Sequence, residues 1–459
     1  MTPAERIAQA TLETQWEGGL WLVGGAVRDP LLGLLPPSEI DIVLEGDSAD
    51  LAMFLWEQGV STIQPVTYPR FGTALVCVEG GQVEIVTARS ESYHRESRKP
   101  AVEPATLKED ALRRDFTINT LLKNLHTDEM RDPLGVGLAD LQQTVLRTPL
   151  EPDATFFDDP LRMLRAVRFK NRFGFHFAQG LGEAISEHAG RLKIISGERI
   201  RDELTKMLLA STTPQSLRDL MTLGLLDVFA SEFSEGIGVD QGSYHTKNVW
   251  EHTLDVVGQV ACKASLLVIL GALFHDIGKP RTRSVDTDGR VRFFGHDKVG
   301  AEMTFEILMR LRFSRKTSAD VAKIVFNHMR LGSAVPFTTA AARRLTRDMG
   351  PLLGDFLTVC EADAASLRAA PKGIDFDDVR AKLAAVRCLT RNEPLESPLS
   401  GAEIMRALGL PEGPEVGMWK RKLTEAVLDG RLDPGDREGA LTLLREKSSP
   451  EDREGPGEG

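Results

Sequence analysis

The chain has 459 residues, 42% of them hydrophobic, and a formal net charge of −11. The length suits three or four domains, no apolar run approaches the ~18 residues of a membrane span, and the acidic balance leaves any nucleic-acid contact to local basic patches. Four scattered cysteines (Cys77, Cys262, Cys360, Cys388) argue against a thiolate-zinc or disulfide framework and fit a reducing cytoplasm, and Met1–Arg6 lacks the basic-then-apolar pattern of a signal peptide.

The first informative stretch is an apolar strand ending at Val23, then Gly24-Gly25, then a helix start carrying Arg28. Without Cβ atoms, Gly24 and Gly25 let backbone N–H groups approach an anion, the helix N-terminus favours phosphate, and Arg28 can pair with it. A second strand follows with Glu39 and Asp41 on alternate residues, hence on one face. Two like-facing carboxylates beside a glycine turn suit divalent cations held against a nucleoside triphosphate; the plainer reading is two solvated acids. Strands are expected at 74–78 and 83–86, where Glu84 is either a third acid or a structural one.

Further on, Arg113-Arg114-Asp115-Phe116-Thr117-Ile118-Asn119 concentrates polar donors before an apolar segment, as a ligand site or a structural ion pair. The pattern is helical from Asp158 to about residue 235. Asp158 or Asp159 can cap the first helix, with Pro160 in its first turn and Gly174 at its end. Asp159 and Arg162, three apart, can share a face; a carboxylate and a guanidinium in one plane could read a base edge, although a cap plus an exposed ion pair is the commoner arrangement. Arg162, Arg165, Arg168, Lys170 and Arg172 form a basic stripe with no acid among them.

A Gly-rich stretch at 235–243 reads as a linker. Five of the nine histidines follow it: His245, His252, His275, His296 and His328. With Asp276 and Asp363 they supply ligands suited to zinc, manganese, nickel or magnesium. An adjacent His-Asp after an apolar helix is costly to bury without a partner or a metal; His245 is read as an ordinary surface or core residue. A last helical piece spans about 398–446, where the Gly/Pro turn at 409–417 either offers amides to RNA phosphate or simply joins helices, and residues 448–459 read as a disordered tail.

The ordered motifs Gly24–Asp29, Glu39/Asp41, Arg113–Asn119, Asp132–Gly135 with Asp140-Leu141, Asp158–Phe169 and Gly197–Leu204 resemble the class II tRNA nucleotidyltransferases and bacterial poly(A) polymerases. His252, His275-Asp276 and Asp363 resemble the ligands of an HD phosphohydrolase domain, with His296 and His328 where some HD domains carry extra ligands. The resemblance implies an α+β chain: a polymerase-beta-like nucleotidyltransferase head (1–150), a helical neck reading the base (151–235), an HD domain (244–370), a C-terminal helical tRNA-binding segment (371–447) and the tail. Asp132–Leu141 corresponds to the hinge between head and neck.

For the site, the resemblance implies that Glu39 and Asp41 hold Mg2+ and that Gly24, Gly25 and Arg28 hold the triphosphate. It puts Arg113 and Asp115 at sugar or triphosphate, adds Asn119, Arg165 and Arg168 to the nucleotide-binding set, and gives Asp159 and Arg162 the choice of base. A second divalent metal (Ni, Mn, Zn or Mg) is implied in the HD domain. The partners implied are the tRNA acceptor arm, CTP and ATP, with neither DNA nor a membrane.

Two departures stand out. Glu39 replaces the usual first aspartate, and Asp158 replaces the glutamate that usually precedes Asp159. Addition of CCA, of CC alone or of A alone stays open, although the segment from Arg89 to Arg113, with Glu91, Tyr93, Arg95 and Arg98, is not shortened as in CC-only enzymes. A poly(A) polymerase, usually with a basic tail, is an alternative substrate choice. An HD hydrolase whose head merely binds nucleotide or RNA is the alternative of another class.

Overall fold

The computed structural model describes residues 1–37, 39–94, 97–242, 247–331, 336–367, 374–389 and 394–447, with the side chains of 91–102 and Lys447 outside that set. His245 and the tail at 448–459 therefore lie outside the described residues, as do the side chains of Glu91, Tyr93, Arg95 and Arg98. Two compact units result, Met1–Ser231 and Glu232–Gly459.

Among the described residues up to 131, the first unit carries nine strands: β1 (Leu20–Val23), β2 (Glu39–Leu44), β3 (Val66–Tyr68), β4 (Thr73–Val78), β5 (Gly81–Thr87), β6 (Arg89–His94), β7 (Ser97–Pro104), β8 (Leu122–Asn124) and β9 (Met130–Arg131). Seven form one sheet in the order β3-β4-β5-β2-β1-β8-β9, and β6 and β7 pair as a separate hairpin. Only β2 and β5 run parallel within the sheet, with Asp41 opposite Glu84.

Side-chain alternation sorts the faces. Leu20, Ile42, Leu44, Val83 and Ile85 join Leu51 and Leu55 of the helix Ser48–Glu57 in one core. Trp21, Val23 and Val43 point the other way, towards Leu107 and Leu122. Glu39 and Asp41 share the parity of Val43, so they stand on this second face with Glu84 beside them.

Helices follow at Pro152–Asp158, Leu161–Phe173, Leu181–His188, Gly197–Leu208, Thr213–Thr222 and Leu226–Ala230. In Leu161–Phe173 the buried Leu161, Leu164 and Val167 follow helical spacing, and Gly174 ends the helix at φ +68°. The expected helical run is interrupted here: His176–Phe177 leaves it to pair in parallel with Val145–Leu146.

Among the described residues, the second unit is helical apart from a small hairpin, Ser284–Val285 with Val291–Arg292. Its centre is the helix Leu266–Phe274, Leu-Leu-Val-Ile-Leu-Gly-Ala-Leu-Phe, apolar on every side and therefore enclosed. Helices Val249–Val260, Arg315–Asn327 and Leu353–Ala365 surround it. Its C-terminal end delivers His275-Asp276 into the interior, where both are buried.

Candidate functional site

Two clusters of polar side chains stand out, one in each unit. In the first unit β1 ends at Gly24, whose φ of +67° and ψ of −130° are open to glycine and strained for other residues. A Cβ there would approach Asp41 Oδ2, so the turn lies directly against that carboxylate. Burial pushes the Asp41 pKa up and the neighbouring Glu39 adds to this, opposed by Arg114 and Arg165. Glu84 is also raised, by burial and then by Asp41. Glu39 itself is exposed. The head thus carries three mutually repelling acids on one face, an arrangement that favours a cation arriving from solvent.

Beside these acids runs a lattice of alternating charge and amide. Arg172 pairs with Asp29 Oδ2 (3.1 Å), Arg28 Nε donates to Asp29 Oδ1 (2.7 Å) and Arg28 Nη1 to Asn119 Oδ1. Asn119 Nδ2 donates to Asp115 Oδ1 (2.9 Å), Arg165 Nε to Asp115 Oδ2 (2.7 Å) and Arg168 Nε to Glu203 Oε2 (2.6 Å). Arg165 Nη1 lies 3.6 Å from Glu203, closing the chain of contacts. The buried Arg28 guanidinium also lies over Phe169 and Phe173, with its carbon 5.0 and 4.6 Å from the ring centroids. Asp115 is fully buried, which alone would raise its pKa; Arg165 and Asn119 outweigh this and hold it far below the usual carboxylate range.

Arg113 and Arg114 both turn onto buried Asp110, at 2.9 Å from Nε in each case. Arg113 Nε also donates to Arg89 O (3.1 Å), which fixes the strand end where β6 begins. The helix Leu161–Phe173 has Pro160, not an aspartate, as its N-cap, with no side-chain cap; Asp159, one residue earlier, accepts from Leu161 N through Oδ1 (3.1 Å) and from Arg199 through Oδ2 (2.8 Å). Arg162 is buried, with Nη2 on Arg113 O and Nη1 3.5 Å from Thr155 O. The partner of Asp159 here is Arg199, a residue to which the sequence assigned no role.

In the second unit, among the described residues, two groups of ligand atoms each lie within 4.8 Å: His252, His275 and Asp363; and Asp276, His296 and His328. The head acids form no group that tight. His275 Nε2 is 3.3 Å from His252 Nε2, 3.1 Å from Asp276 Oδ2 and 3.8 Å from Asp363 Oδ1, and His252 Nε2 is 3.0 Å from Asp363 Oδ1. The other oxygen of Asp276 faces the second group, 3.6 Å from His296 Nε2 and 3.7 Å from His328 Nε2, which are 3.2 Å apart.

The tautomers follow from the backbone. His275, His296 and His328 each have Nδ1 2.6–2.8 Å from a carbonyl oxygen, of Ala272, Phe293 and Val325. A carbonyl only accepts, so each Nδ1 carries hydrogen and each Nε2 of a neutral ring offers a lone pair inwards. Burial lowers the His296 pKa and keeps that ring neutral. Two nitrogen lone pairs 3.2 Å apart, facing a carboxylate oxygen, repel unless a cation or a proton lies between them. The donor set, imidazole Nε2 with second-shell carbonyls plus carboxylate, fits a divalent transition metal in each half, with Asp276 shared.

Sequence reading missed the supports of this cluster. Lys279 Nζ is 2.6 Å from Asp276 Oδ2 and donates to Gln241 Oε1 (2.8 Å). A Cβ at Gly278 would collide with His296 O and Gly300 N, so the helix His296–Arg310 rests on that glycine. The sequence signal was present in His275-Asp-Ile-Gly-Lys279, two and three residues past the pair.

A poly A polymerase head-domain model matches residues 20–147, a model described as the probable RNA and SrmB-binding site of polymerase A matches 174–236, and an HD-domain model matches 242–364. The chain is 37% identical over 342 residues to an A-adding tRNA nucleotidyltransferase of Deinococcus radiodurans, covering 72% of this chain and 77% of that protein. It is 35% identical over 349 residues to a CC-adding tRNA nucleotidyltransferase of Thermus thermophilus, with 74% and 77% covered. The crystal structure of the Bacillus stearothermophilus CCA-adding enzyme in complex with CTP has the same fold, with a TM-score of 0.70 at 22% identity over 97% of this chain and 96% of that one.

Proposed function

The chain belongs to the family of class II tRNA nucleotidyltransferases and bacterial poly(A) polymerases, and from this we propose that it adds all or part of the CCA sequence to the 3′ end of tRNA, using CTP and ATP without a nucleic-acid template. The observation that carries the reading is the face on which Asp41 sits against the Gly24 turn, with Glu39 and Glu84 alongside.

In the reaction the tRNA 3′-oxygen attacks the α-phosphorus in line; the new O–P bond forms as the bond to pyrophosphate breaks. Glu39 and Asp41 would hold Mg2+, which when bound supplies acidification of the attacking hydroxyl and neutralisation of the leaving pyrophosphate. Gly24 and Gly25 leave the backbone open to the triphosphate. Arg28 and Asn119 brace that turn against the helix Leu161–Phe173, and Arg113, Asp115, Arg165 and Arg168 shape the charged wall beside it. Asp159 and Arg162 read the base. The test is incubation with tRNA lacking one, two or three terminal nucleotides, with CTP and ATP offered separately. Extension of only the end lacking one residue marks an A-adding enzyme, extension up to CC marks a CC-adding one, and no extension of any end refutes the reading.

A second activity is favoured by one observation, the six inward ligands of the helical unit. His252, His275, Asp276 and Asp363, with His296 and His328, would hold divalent metal, which when bound supplies an activated water and charge neutralisation at phosphorus. Asp276 spans both halves and Lys279 steadies it. The substrate class is a phosphomonoester or a 2′,3′-cyclic phosphodiester; release of phosphate or ring opening in Ni2+, Mn2+ or Mg2+, absent in His252→Ala, tests it. A protein that adds nucleotides yet hydrolyses nothing under these conditions would make this cluster structural.

A further inference from the structure

We propose that the head holds a second nucleotide site, apart from the acids that face Mg2+: a cavity of about 780 Å³ beyond the ends of β2 and β5 takes a nucleoside phosphate, its hydroxyl and amine donors on Glu45, Asp47 and Glu109 and its phosphate on Arg70. None of the lining residues belongs to the set assigned to Mg2+, triphosphate or base choice.

Sheet topology makes the cavity. β2 and β5 run parallel and end together, Leu44 opposite Thr87, and β4 starts at the same edge with Thr73 opposite Val86. A crevice beyond the carboxyl ends of parallel strands is where open sheets bind ligands, and the volume falls in the range of small-molecule sites. Asp41 lies three residues back from Leu44 along β2, about 10 Å from the strand end.

One wall is acidic, and each carboxylate there is anchored by a single oxygen. Glu45 Oε1 accepts from Leu107 N (2.8 Å), Asp47 Oδ1 from Ala49 N (2.7 Å) and Glu109 Oε2 from Thr106 N (2.8 Å). Among the described residues nothing engages the second oxygen of any of the three, so each keeps an acceptor in reserve on an anchored side chain. Arg70 stands across from them, exposed in the turn Pro69–Phe71 that leads into β4, and without an ion-pair partner among the described residues. Arg89 braces this turn, its Nη1 donating to Phe71 O and to Thr73 Oγ1 (3.3 Å). The first amides of the helix Ser48–Glu57 are already taken, Ser48 N by Thr87 Oγ1 (3.0 Å) and Ala49 N by Asp47, so an anion in the cavity falls to Arg70. β5 separates β4 from β2, which puts the two walls about 10 Å apart, two strand spacings.

A ligand that satisfies both walls carries several donors at one end and an anion at the other. Phosphate alone has only the anion, and a polyamine has only the donors. A nucleoside phosphate has both: ribose hydroxyls and a base amine for the carboxylates, and a phosphate for the guanidinium. Pro69, Pro104 and Ala105 add apolar lining suited to the face of a base.

The experiment titrates the full-length protein with ATP by calorimetry in EDTA, which strips metal from the head acids and the histidine cluster, and measures CTP addition to tRNA separately with Mg2+. The parent should take up one more ATP than Arg70→Glu, whose affinity at this site falls about tenfold or more, the order of a charge-assisted contact. Glu45→Gln keeps the acceptor for Leu107 N but turns the other oxygen into a donor, and should weaken the same event several-fold. CTP addition should stay within about twofold in both variants, as for independent sites. Equal ATP uptake by the parent and Arg70→Glu would overturn the site. Tripolyphosphate or ribose 5-phosphate binding as tightly as ATP, and lost equally in Arg70→Glu, would overturn the nucleotide in favour of a simple anion or sugar-phosphate site. CTP addition falling in step with ATP uptake would overturn the separation from the transfer site. Should Arg70→Glu fail to fold by circular dichroism, Arg70→Ala is read by the same measurements.

Discussion

Asp41 and Asp276 are both aspartates at the heart of a charged cluster, yet they are held in opposite ways. Asp41 faces two other acids on an open sheet face, both of them exposed, and its nearest cations, Arg114 and Arg165, are committed to Asp110 and Asp115. Asp276 is buried, with imidazoles facing both of its oxygens and Lys279 at 2.6 Å. The first arrangement repels itself until a cation enters with a polyanionic substrate. The second is an assembled donor set whose rings are oriented by three backbone carbonyls. Metal is expected to arrive with the nucleotide at the head and to reside in the helical unit without it.

The largest effect that could break this contrast is a double dissociation. Asp41→Ala should reduce nucleotide addition by about 10³-fold or more, the scale of losing charge stabilisation at a transferring phosphoryl group, while phosphoester hydrolysis stays within about twofold, the scatter of independent sites. Asp276→Ala should do the reverse. Loss of both activities in either variant, measured with labelled CTP and with a cyclic nucleotide, would mean that the two clusters are not independent.

Metal binding sharpens the comparison next. With no nucleotide present, Ni2+ or Mn2+ at about a hundred times its dissociation constant should stabilise the protein by about 2.7 kcal/mol, seen as a rise in melting temperature of the helical unit. His328→Ala should retain part of this shift, because His252, His275 and Asp363 form a group without it, whereas Asp276→Ala, which removes the carboxylate facing both groups, should lose more of it. Mg2+ alone should give no shift attributable to the head until CTP is added.

The head site was legible because its signal is local. Glu39 and Asp41 lie two residues apart on one strand, and alternation alone puts them on one face. The glycine at 24 was equally readable, since the turn needs a positive φ. The lattice around Asp115 was readable only as a density of polar residues, because beyond the nearby Asn119 its other partner, Arg165, comes from 50 positions away, and Glu203, which holds Arg165 and Arg168, lies on yet another helix. Arg199 could not be paired with Asp159 from spacing at all; the contact spans 40 residues and depends on how two helices pack. In the helical unit the histidines were visible as a set, but the sharing of Asp276 between two groups is a matter of tertiary geometry. The α+β class came with the family resemblance, the strand and helix periods alone giving only a mixed head before helical segments, while the pairing of His176–Phe177 with Val145–Leu146 inside an otherwise helical stretch had no period to announce it.

A smaller effect is the response to pH. Burial alone would lower the His275 pKa, but Asp276 and Asp363 outweigh it and raise the value above that of a free imidazole. In the metal-free protein the extra proton therefore contributes stability below the unfolded value of about 6.5, and that contribution is lost as pH rises through the higher folded value. Metal competes with the same proton, so affinity should climb over the same interval, with net proton release on binding at pH 6 that shrinks on the alkaline side. Isothermal titration in buffers of different ionisation enthalpy reads this directly. No such proton is available at the head, where the Asp41 and Glu84 values are raised by burial and by mutual repulsion. There, acidification should weaken nucleotide addition because the acids themselves become protonated.

Glu39→Asp is the mildest test and bears on why the head tolerates an unusual residue. Glu39 is exposed at the start of β2, opposite Gln82, whereas Asp41 is half-buried in the middle of the face. An exposed carboxylate on a longer stem has room to adjust its reach, so the extra methylene costs some ordering of the side chain rather than the geometry of the site. Shortening it removes that freedom and retracts the oxygens by one bond. These effects oppose each other, and the rate of CTP addition should stay within about threefold of the parent, the equivalent of less than ~1 kcal/mol. The same change at the half-buried position, Asp41→Glu, has less slack: the added methylene would carry the carboxylate away from its place beside the Gly24 turn, where even a Cβ on that glycine would reach it. A large loss in Asp41→Glu beside a near-neutral Glu39→Asp would show that the two acids divide the work unequally, with the half-buried one setting the position of the cation and the exposed one following it.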